Sequence, residues 1–489
     1  MEVGLWLKAW MTAEIERELG TVDLGDARLD QRARFIVRRW QETPDASFPS
    51  MVGSAAELQA LYRFMDLETV TWQSLLAAHS AQALARIDEA TPGDVLIVHD
   101  TTTFSFEGDG VRKDVGWLSP NLQGFSAHMG LALSADGSRR PLGILGMSIT
   151  TRARATGPRK HRSGKECARD PNRDSLRWKR LVDQTTTLTR GHAVPIHVMD
   201  REGDAYELLG GMVRDNQRFV VRAKALGRAV TTKDIEGTTR LRVVAERAVP
   251  VATRNVRLSR RKKAELADAR RKHPPRPSRP AKLDFAATTV RLHRTKYLTE
   301  LLPATIDINV VHVRELDPPP DMQPIEWFIL TTEAIGTVDE VVRVVDIYRA
   351  RWTIEEFFKA IKTGCAYEAR QLESGHALHN ALAMCIPVAW QMLLLRHQVG
   401  ADPEAPAATV IGAHRLEVLR MIARKPLPSP ATARTILFAI AALGGHIEKN
   451  GDPGWMTLRR GLDRLIFAEA VLEARGAAEF PPGRTTSGG

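Results

Sequence analysis

Cysteine is scarce in this chain of 489 residues: Cys167, Cys365 and Cys385 are its three cysteines, and no two of them form a CxxC pair. A disulfide framework and a structural zinc site are therefore not expected. Long apolar runs are missing as well, since none approaches the roughly 18 residues of a membrane span. The amino terminus also lacks a charged region followed by an apolar core. The sequence therefore predicts a cytoplasmic protein without a membrane partner.

Acidic residues are in the minority: 58 Asp and Glu stand against 69 Lys and Arg, which gives a formal net charge of +11. The surplus is concentrated in two blocks. Residues 254–282 carry twelve basic and two acidic residues, and residues 152–180 carry eleven basic and three acidic ones. Such blocks favour a polyanionic partner, most simply nucleic acid, although a solvated basic loop is the alternative for either block alone.

The length allows two to four domains with a sizeable core, and 43% hydrophobic with 26% charged residues is typical of a globular protein. Helical patterns occupy both ends of the chain. Near the amino terminus, one predicted helix with Asp26 as its N-cap projects Arg28 and Arg32, and a second brings Arg63. Beyond Leu372 the chain is again predicted to be helical. Ordinary amphipathic helices would explain these patterns by spacing alone.

Two apolar segments each end in an aspartate. The run VLIV at residues 95–98 is typical of a buried strand, and it is followed by His99 and Asp100. The segment AVPIHVMD ends in Asp200, after which a helix is predicted to start. An acid in this position most often caps a turn. Two neighbouring strands that both end in one can nevertheless bring them together at one edge of a sheet, where ligand sites of α/β proteins lie.

A third acidic residue lies on a predicted helix at residues 347–370. Thr353 and Glu356 form a plausible capping box at its start, and Gly364 stands where a C-cap would end it. The gap between Asp200 and this helix reads as a series of strands, with Arg222 in the first and Trp327 in the last.

One face of this helix combines a carboxylate with cations. At about 100° per residue, Glu355, Lys359 and Lys362 fall within roughly 40° of one another. Tyr348 and Arg351 extend the same stripe if the helix begins earlier. For an isolated E-x3-K-x2-K the better interpretation is a solvated charged face with ordinary intrahelical pairs. The full spacing Y-x2-R-x3-E-x6-K is much rarer.

That spacing resembles the signature of the bacterial cut-and-paste DDE transposases of the insertion-sequence-four family, to which the transposase of transposon five belongs. The segments VHDTTTFSF, MDREGDAYELL and IYRARWTIEEFFKAIKTG resemble, in order and approximate spacing, the three blocks of that family's catalytic core. The resemblance covers the chain from about Leu24 to about Glu473. It implies an α/β fold in which a ribonuclease-H-like core is interrupted by a β-rich insertion and flanked by helical domains. The implied ranges are 1–75 for a DNA-binding domain, 76–375 for the catalytic domain with the insertion at 225–325, 376–478 for a dimerisation domain and 479–489 for a disordered tail.

The resemblance also implies a chemistry. Asp100, Asp200 and Glu355 would hold two Mg²⁺, with Mn²⁺ as a substitute, for cleavage and joining of DNA strands. The partners would be double-stranded DNA, both transposon ends and target, and a second subunit in the synaptic complex, at the nucleoid of a bacterial cytoplasm. A tryptophan at the place of Trp327 receives a base flipped out of the cleaved end in that family. The implied DNA contacts are Tyr348, Arg351, Lys359, Lys362, Arg222, Trp327, Trp352, Arg28, Arg32 and Arg63.

Two other functions stay open at this point. A catalytically silent relative that only binds transposon ends, and so inhibits transposition, would keep the basic faces and lose an acid, whereas all three acids are present. A glycosidase or phosphatase with paired carboxylates is possible on the acids alone. The basic blocks and the arginine-bearing helix near the amino terminus argue against it.

Overall fold

The computed structural model describes residues 17–44, 46–90, 93–108, 110–154, 166, 170, 173–258 and 274–479. Residues 480–489 of the predicted tail, Cys167 and the middle of both basic blocks lie outside the described residues. The elements are numbered here in chain order. The helices are α1 Ala27–Glu42, α2 Phe48–Met51, α3 Ala55–Asp66, α4 Trp72–Glu89, α5 Leu176–Leu188, α6 Tyr206–Arg214, α7 Leu241–Arg247, α8 Val338–Ala350, α9 Trp352–Lys359, α10 Gly375–Ala401, α11 Ala407–Ile411, α12 Ala413–Ile422, α13 Ala433–Leu443 and α14 Trp455–Glu479.

The strands form one mixed sheet, so the fold is α/β. They are β1 Asp94–Phe106, β2 Trp117–Ser119, β3 Leu122–Ser134, β4 Pro141–Thr150, β5 Val194–Met199, β6 Arg218–Arg222, β7 Ala229–Thr232, β8 Ile235–Arg240, β9 Pro250–Leu258, β10 Arg279–His293, β11 Thr305–Leu316 and β12 Glu326–Thr331. The order across the sheet is β2-β3-β1-β5-β6-β12-β11-β10-β7-β8, with β4 beside β3 and β9 beside β10. Strand β1 runs antiparallel to β3 and parallel to β5, which in turn is parallel to β6.

Residues 225–325 are rich in strands and continue this sheet. The segment follows β6 in the chain and precedes β12, which pairs antiparallel with β6. Two hydrophobic clusters cross the boundary of the segment. One joins Leu283 and Phe285 of β10 to Val344 of α8, and the other joins Val290 of β10 to Trp178 of α5. Because both clusters are shared, the segment has no hydrophobic core of its own among the described residues.

The longest helix, α10, lies in the centre of the molecule. Among the described residues, it is the helix that is long and apolar enough to cross a membrane by length and composition, but 94% of its apolar window is buried inside the protein. It packs against α1, α3, α4 and β4 and carries the buried Trp390. We therefore interpret α10 as a core helix, and the helices predicted beyond Leu372 are present as α10 to α14.

A buried ion cluster attaches the amino-terminal segment to the sheet. The Glu18 carboxylate contacts the His79 ring and the Arg86 guanidinium, both on α4. His79 Nε2 accepts a hydrogen bond from the Ile144 N–H at 3.0 Å, so the ring proton lies on Nδ1, which donates to Glu18. Burial acts to raise the pKa of Glu18, but His79 and Arg86 outweigh it and the pKa is lowered.

We expect Glu18→Gln to lower the free energy of unfolding by about 3 kcal/mol, because it leaves a buried charge without its partner. Since the folded-state pKa of Glu18 lies below that of an ordinary glutamate, the contribution is present above the ordinary pKa and is lost as the pH falls through the folded-state pKa. Denaturant unfolding at pH 7 and at pH 4 measures both effects. The control is Glu89→Gln, which removes an exposed glutamate paired with Arg17 at 3.9 Å and should cost less than about 1 kcal/mol. Equal effects of the two variants would contradict the expectation.

Candidate active site

Asp100 and Asp200 are neighbours in the sheet. Strands β1 and β5 pair in parallel up to the pair His99 and Met199, so the two aspartates are the next residues on adjacent strands. Adjacent strands lie about 4.8 Å apart, and residues in register on parallel strands point to the same face. The sequence prediction that a strand ends at Asp100 is wrong, because β1 continues to Phe106 along β3. What ends at Asp100 is the pairing of β1 with β5.

Each aspartate is held by the backbone that follows it. The Thr101 N–H donates to Asp100 Oδ1 at 2.8 Å, and the Glu202 N–H donates to Asp200 Oδ1, also at 2.8 Å. Asp200 thereby caps a 3₁₀ turn at Arg201–Gly203, and α6 begins only at Tyr206. The predicted helix start after Asp200 is therefore displaced by this turn.

Glu355 lies on α9, and the predicted start of its helix is wrong. The capping box belongs to Thr337 and Glu340 at the start of α8, while α9 follows α8 almost directly and has no side-chain cap. The Glu356 side chain instead contacts Lys359 at 2.6 Å and the Trp455 Nε1 at 3.0 Å. The predicted end is confirmed, since α9 passes into a π-helical turn that stops at Gly364.

Arg351 joins two of the three carboxylates. Its guanidinium donates to Asp100 Oδ2 at 3.0 Å and to Glu355 Oε1 at 2.5 Å. Burial raises the pKa of Asp100 to about 7; Arg351 acts against this rise, whereas the charges of Asp200 and Glu355 add to it. Burial acts to lower the pKa of Arg351. Tyr348, Glu355 and Asp100 outweigh this effect and hold the pKa of Arg351 above its usual range. The three acids therefore share one electrostatic site.

This donor set fits hard divalent cations. Three carboxylates in a partly buried site repel one another and need positive charge, and Mg²⁺ and Mn²⁺ both take oxygen ligands. Arg351 supplies that charge in the present arrangement. Within the described ranges, no three His, Cys, Asp or Glu side chains are already grouped as ligands of one ion. Asp100 and Glu355 would therefore have to exchange the guanidinium for a metal.

An aromatic and cationic patch lies beside the acids. Tyr348 lies beside Arg222, and its ring meets that of Trp327 edge to face at a centroid distance of 5.4 Å. Arg222 also donates to the Glu326 carbonyl at 3.2 Å. Burial raises the pKa of Tyr348 and lowers that of Arg222. Trp327 is half-buried, so one part of its ring packs on the core while another part is accessible.

The cations after Glu355 do not share its face. Lys359 is exposed and paired with Glu356, so the structure does not bring it to the carboxylates. The π-helical turn redirects Lys362, which donates to the Thr103 carbonyl of β1 at 2.5 Å. The Trp352 side chain is 57% exposed, and the Arg351 guanidinium lies 5.5 Å from its ring centre. The predicted stripe fails at Lys362 because the helix loses its 3.6-residue period immediately after Lys359, and it fails at Lys359 because that side chain pairs with Glu356.

The predicted contacts near the amino terminus lie on the surface. Asp26 caps α1, as predicted, by accepting from the Arg28 N–H at 2.7 Å. Arg28 and Arg63 are exposed, and Arg32 is half-buried with its guanidinium 5.8 Å from the Phe35 ring centre. These arginines are available to an external partner, and their role stays a prediction.

The block at residues 254–282 is less loop-like than the sequence indicates. Its first part belongs to β9 and its last part to β10. Arg254 forms an ion pair with Asp346 at 2.7 Å, and Arg279 pairs with Glu315. Both ends therefore contribute to folding, which leaves residues 259–273, outside the described ranges, as the segment where a sequence-independent phosphate contact is still a prediction.

Sequence reasoning missed Arg177 and Arg201. Arg177, on α5, donates to the Thr101 hydroxyl at 3.2 Å and to Glu202 at 2.7 Å. Arg201 follows Asp200 and is exposed. It lies close enough to Arg222 that its charge adds to the effect of burial in lowering the pKa of Arg222. The sequence signal for Arg201 is its place directly after a strand-end aspartate. Arg177 carries no local signal, since its partners lie 76 and 25 residues away.

Comparisons with known families agree with this geometry. Residues 10–70 match the family described as transposase DNA-binding, and residues 177–390 match the transposase DDE domain. Asp200 and Glu355 lie inside the second match, and Asp100 precedes it. Arg28, Arg32 and Arg63 lie inside the first. Among solved structures, the cryo-EM structure of a piggyBac transposase synaptic complex with hairpin DNA aligns with a TM-score of 0.33 at 10% identity, covering 99% of this chain and 80% of that one.

A DNA-binding domain that precedes a catalytic domain with grouped carboxylates defines an enzyme that acts on DNA. The two family matches make the chain a DDE transposase. DDE transposase domains use divalent metal ions.

Proposed function

We propose that this transposase binds the terminal inverted repeats of its element and catalyses Mg²⁺-dependent nicking, hairpin formation, excision and strand transfer, as insertion-sequence-four transposases do. The observation that carries the proposal is the proximity of Asp100 to both Asp200 and Glu355, with Arg351 bridging Asp100 and Glu355. The core sheet supports it, because the order β4-β3-β1-β5-β6, with β1, β5 and β6 parallel, is that of a ribonuclease-H-like core. Because the proposed substrate is DNA, we expect the reaction to take place at the bacterial nucleoid.

In this proposal the three carboxylates hold two Mg²⁺, for which Mn²⁺ substitutes. When bound, the ions supply activation of the attacking oxygen and stabilisation of the leaving oxygen. Arg351, once released from Asp100 and Glu355, is free to hold a phosphate of the cleaved strand with its planar fork of donors. Lys362, which is bonded to the Thr103 carbonyl of β1, and Arg222 of β6 border the site and would contact neighbouring phosphates.

In this proposal, Trp327 binds a base that is flipped out of the duplex. Its ring is braced by Tyr348 on one side and leaves another part accessible. Stacking of a base on an aromatic ring is worth roughly 1–3 kcal/mol, enough to offset part of the cost of unstacking it from the duplex. A base held there lets the backbone bend into a hairpin. Two subunits, each holding one end, form the synaptic complex.

The experiment uses duplex DNA that carries the inverted repeats flanking the gene, compared with a scrambled duplex of equal length. In Mg²⁺ or Mn²⁺ we expect nicked and then hairpin-ended products, and in EDTA binding without cleavage. A gel shift across salt concentrations reports the phosphate contacts. Specific binding without cleavage in any divalent ion would identify the silent end-binding relative instead. Equal binding of both duplexes would contradict end recognition.

A further inference from the structure

Arg177 connects the two backbone segments that carry the aspartates. It lies in the first turn of α5, and its side chain is only 16% exposed. The Nε–H donates to Thr101 Oγ1 at 3.2 Å, and Nη2 donates to Glu202 Oε2 at 2.7 Å. A third donor, Nη1, bonds the Asp174 carbonyl at 2.8 Å and fixes the arginine to its own loop. One guanidinium thus bridges β1 and the turn after β5.

The residues at the two ends of this bridge are those that hold the aspartates. The Thr101 N–H donates to Asp100 Oδ1, and the Glu202 N–H donates to Asp200 Oδ1. The parallel pairing of β1 with β5 has stopped one residue earlier, at His99 and Met199. Beyond that point no ladder bond between these two strands sets the distance between the two carboxylates, and Arg177 connects the strands there.

A buried histidine orients the Thr101 hydroxyl. Thr101 Oγ1 lies 2.9 Å from His128 Nδ1. Arg177 donates to the same oxygen at 3.2 Å, so the hydroxyl is held between the guanidinium and the imidazole. Burial, together with the nearby charge of Arg177, lowers the pKa of His128 to about 3, so the ring is neutral. The bridge is therefore fixed at the threonine end from two directions.

We propose that Arg177 is a positioning residue for the metal site: by tying Thr101 to Glu202 it sets the separation of Asp100 and Asp200 at which divalent cations bind. The inference rests on the proposed role of these aspartates as metal ligands. The geometry needs an arginine, because a lysine ammonium has the charge but not the planar fork that reaches both acceptors. Partners of this kind around metal ligands typically contribute about 10–100-fold to metal affinity.

The direction of the change in metal affinity on removal of Arg177 distinguishes a positioning role from a purely electrostatic one. Arg177 is a cation bonded to the two residues that hold Asp100 and Asp200, so if it acted only through its charge, its removal would strengthen metal binding. A positioning role predicts the opposite, namely weaker binding. The readout is Mn²⁺ bound to the full-length protein at pH 7, measured by the electron paramagnetic resonance signal of free Mn²⁺, so that it does not depend on cleavage. The Mg²⁺ concentration for half-maximal cleavage is measured in parallel.

We expect Arg177→Ala and Arg177→Lys both to weaken Mn²⁺ binding by about tenfold or more. The control Lys179→Ala removes one positive charge from the same helix, where the lysine pairs with Asp183 and Asp215, and should leave binding unchanged or slightly tighter. Wild-type affinity in Arg177→Ala, or full rescue by Arg177→Lys, would overturn the inference.

A second pair of variants changes no charge, and it decides the matter if Arg177→Ala does not fold. Thr101→Val removes the acceptor for Arg177 and keeps the backbone N–H, whereas Thr101→Ser keeps both. Weaker Mn²⁺ binding in Thr101→Val alone supports the bridge, and equal binding in both variants contradicts it. Asp100→Asn tests the underlying proposal. If this variant binds Mn²⁺ like wild type, the metal site itself is wrong; if it loses binding while the Arg177 variants keep it, only the positioning inference fails.

Discussion

Asp100→Asn, Asp200→Asn and Glu355→Gln should each reduce Mg²⁺-dependent cleavage at least about 10³-fold, because metal-assisted phosphodiester cleavage draws several kcal/mol of its barrier reduction from ions that these carboxylates hold. Each change keeps the shape of the side chain and removes one charge. Binding to the ends should stay within about threefold of wild type, since the proposed phosphate contacts are made by arginines and lysines. Single-turnover cleavage of end-labelled DNA and a gel shift measure the two quantities.

The matched control is Glu356→Gln. This residue neighbours Glu355 in the chain, but its side chain faces Lys359, Arg396 and Trp455 on the far side of α9. It should cleave at close to the wild-type rate. Cleavage at the wild-type rate by any one of the three acid variants would remove that residue from the metal site.

Trp327→Ala should allow the first nick and block hairpin formation, so that nicked DNA accumulates. The reason is that the backbone cannot bend sharply while the base next to the nick stays stacked in the duplex. Trp327→Phe retains a ring on which a base can stack and should form hairpins at a reduced rate. Denaturing gels of a time course separate nicked from hairpin products, and thermal melting of each variant reports its stability.

Core packing is the competing role for Trp327, since part of its ring contacts the hydrophobic cluster and Tyr348. If packing dominates, Trp327→Ala should cost about 3–5 kcal/mol and impair nicking and hairpin formation together. Trp352→Ala serves as the comparator, because that ring is 57% exposed and can be removed at little cost in stability. A selective hairpin defect in Trp352→Ala rather than in Trp327→Ala would move the base-binding role to α9.

The elements that carry the acids could be predicted because their signals are local. Runs of β-branched residues before Asp100 and Asp200 indicate buried strands regardless of their partners. The start of the helix that carries Glu355 could not, since the pattern Thr-x-x-Glu occurs at Thr337 and again at Thr353, and both satisfy the capping-box rule. What distinguishes them is that the chain is already helical before Thr353, with Val344 and Tyr348 buried on the sheet.

The site itself was only partly predictable. Which acids converge follows from strand order and register, and the resemblance supplied both indirectly. The Arg351 bridge depends on side-chain distances after folding. The contacts of Arg177 depend on α5, β1 and the turn after β5, which come together only in the folded protein. Lys362 was assigned to the face of Glu355 because the π-helical turn that begins at Ala360 has no signal in the 3.6-residue period that the prediction assumes. Long-range pairing, such as β6 with β12, lies beyond any local pattern.

The shared cores of residues 225–325 bear on how such an enzyme diverges. Phe285 belongs to the hydrophobic cluster that includes Val344 of α8, and Val290 to the cluster that includes Trp178 of α5, so exchange of the segment between relatives would expose apolar surface in both clusters. Recombination across its boundaries should therefore give insoluble hybrids. We expect changes in DNA specificity to arise more readily from substitutions at surface loops, because the strands that carry Trp327, Arg222 and the proposed metal ligands belong to one sheet.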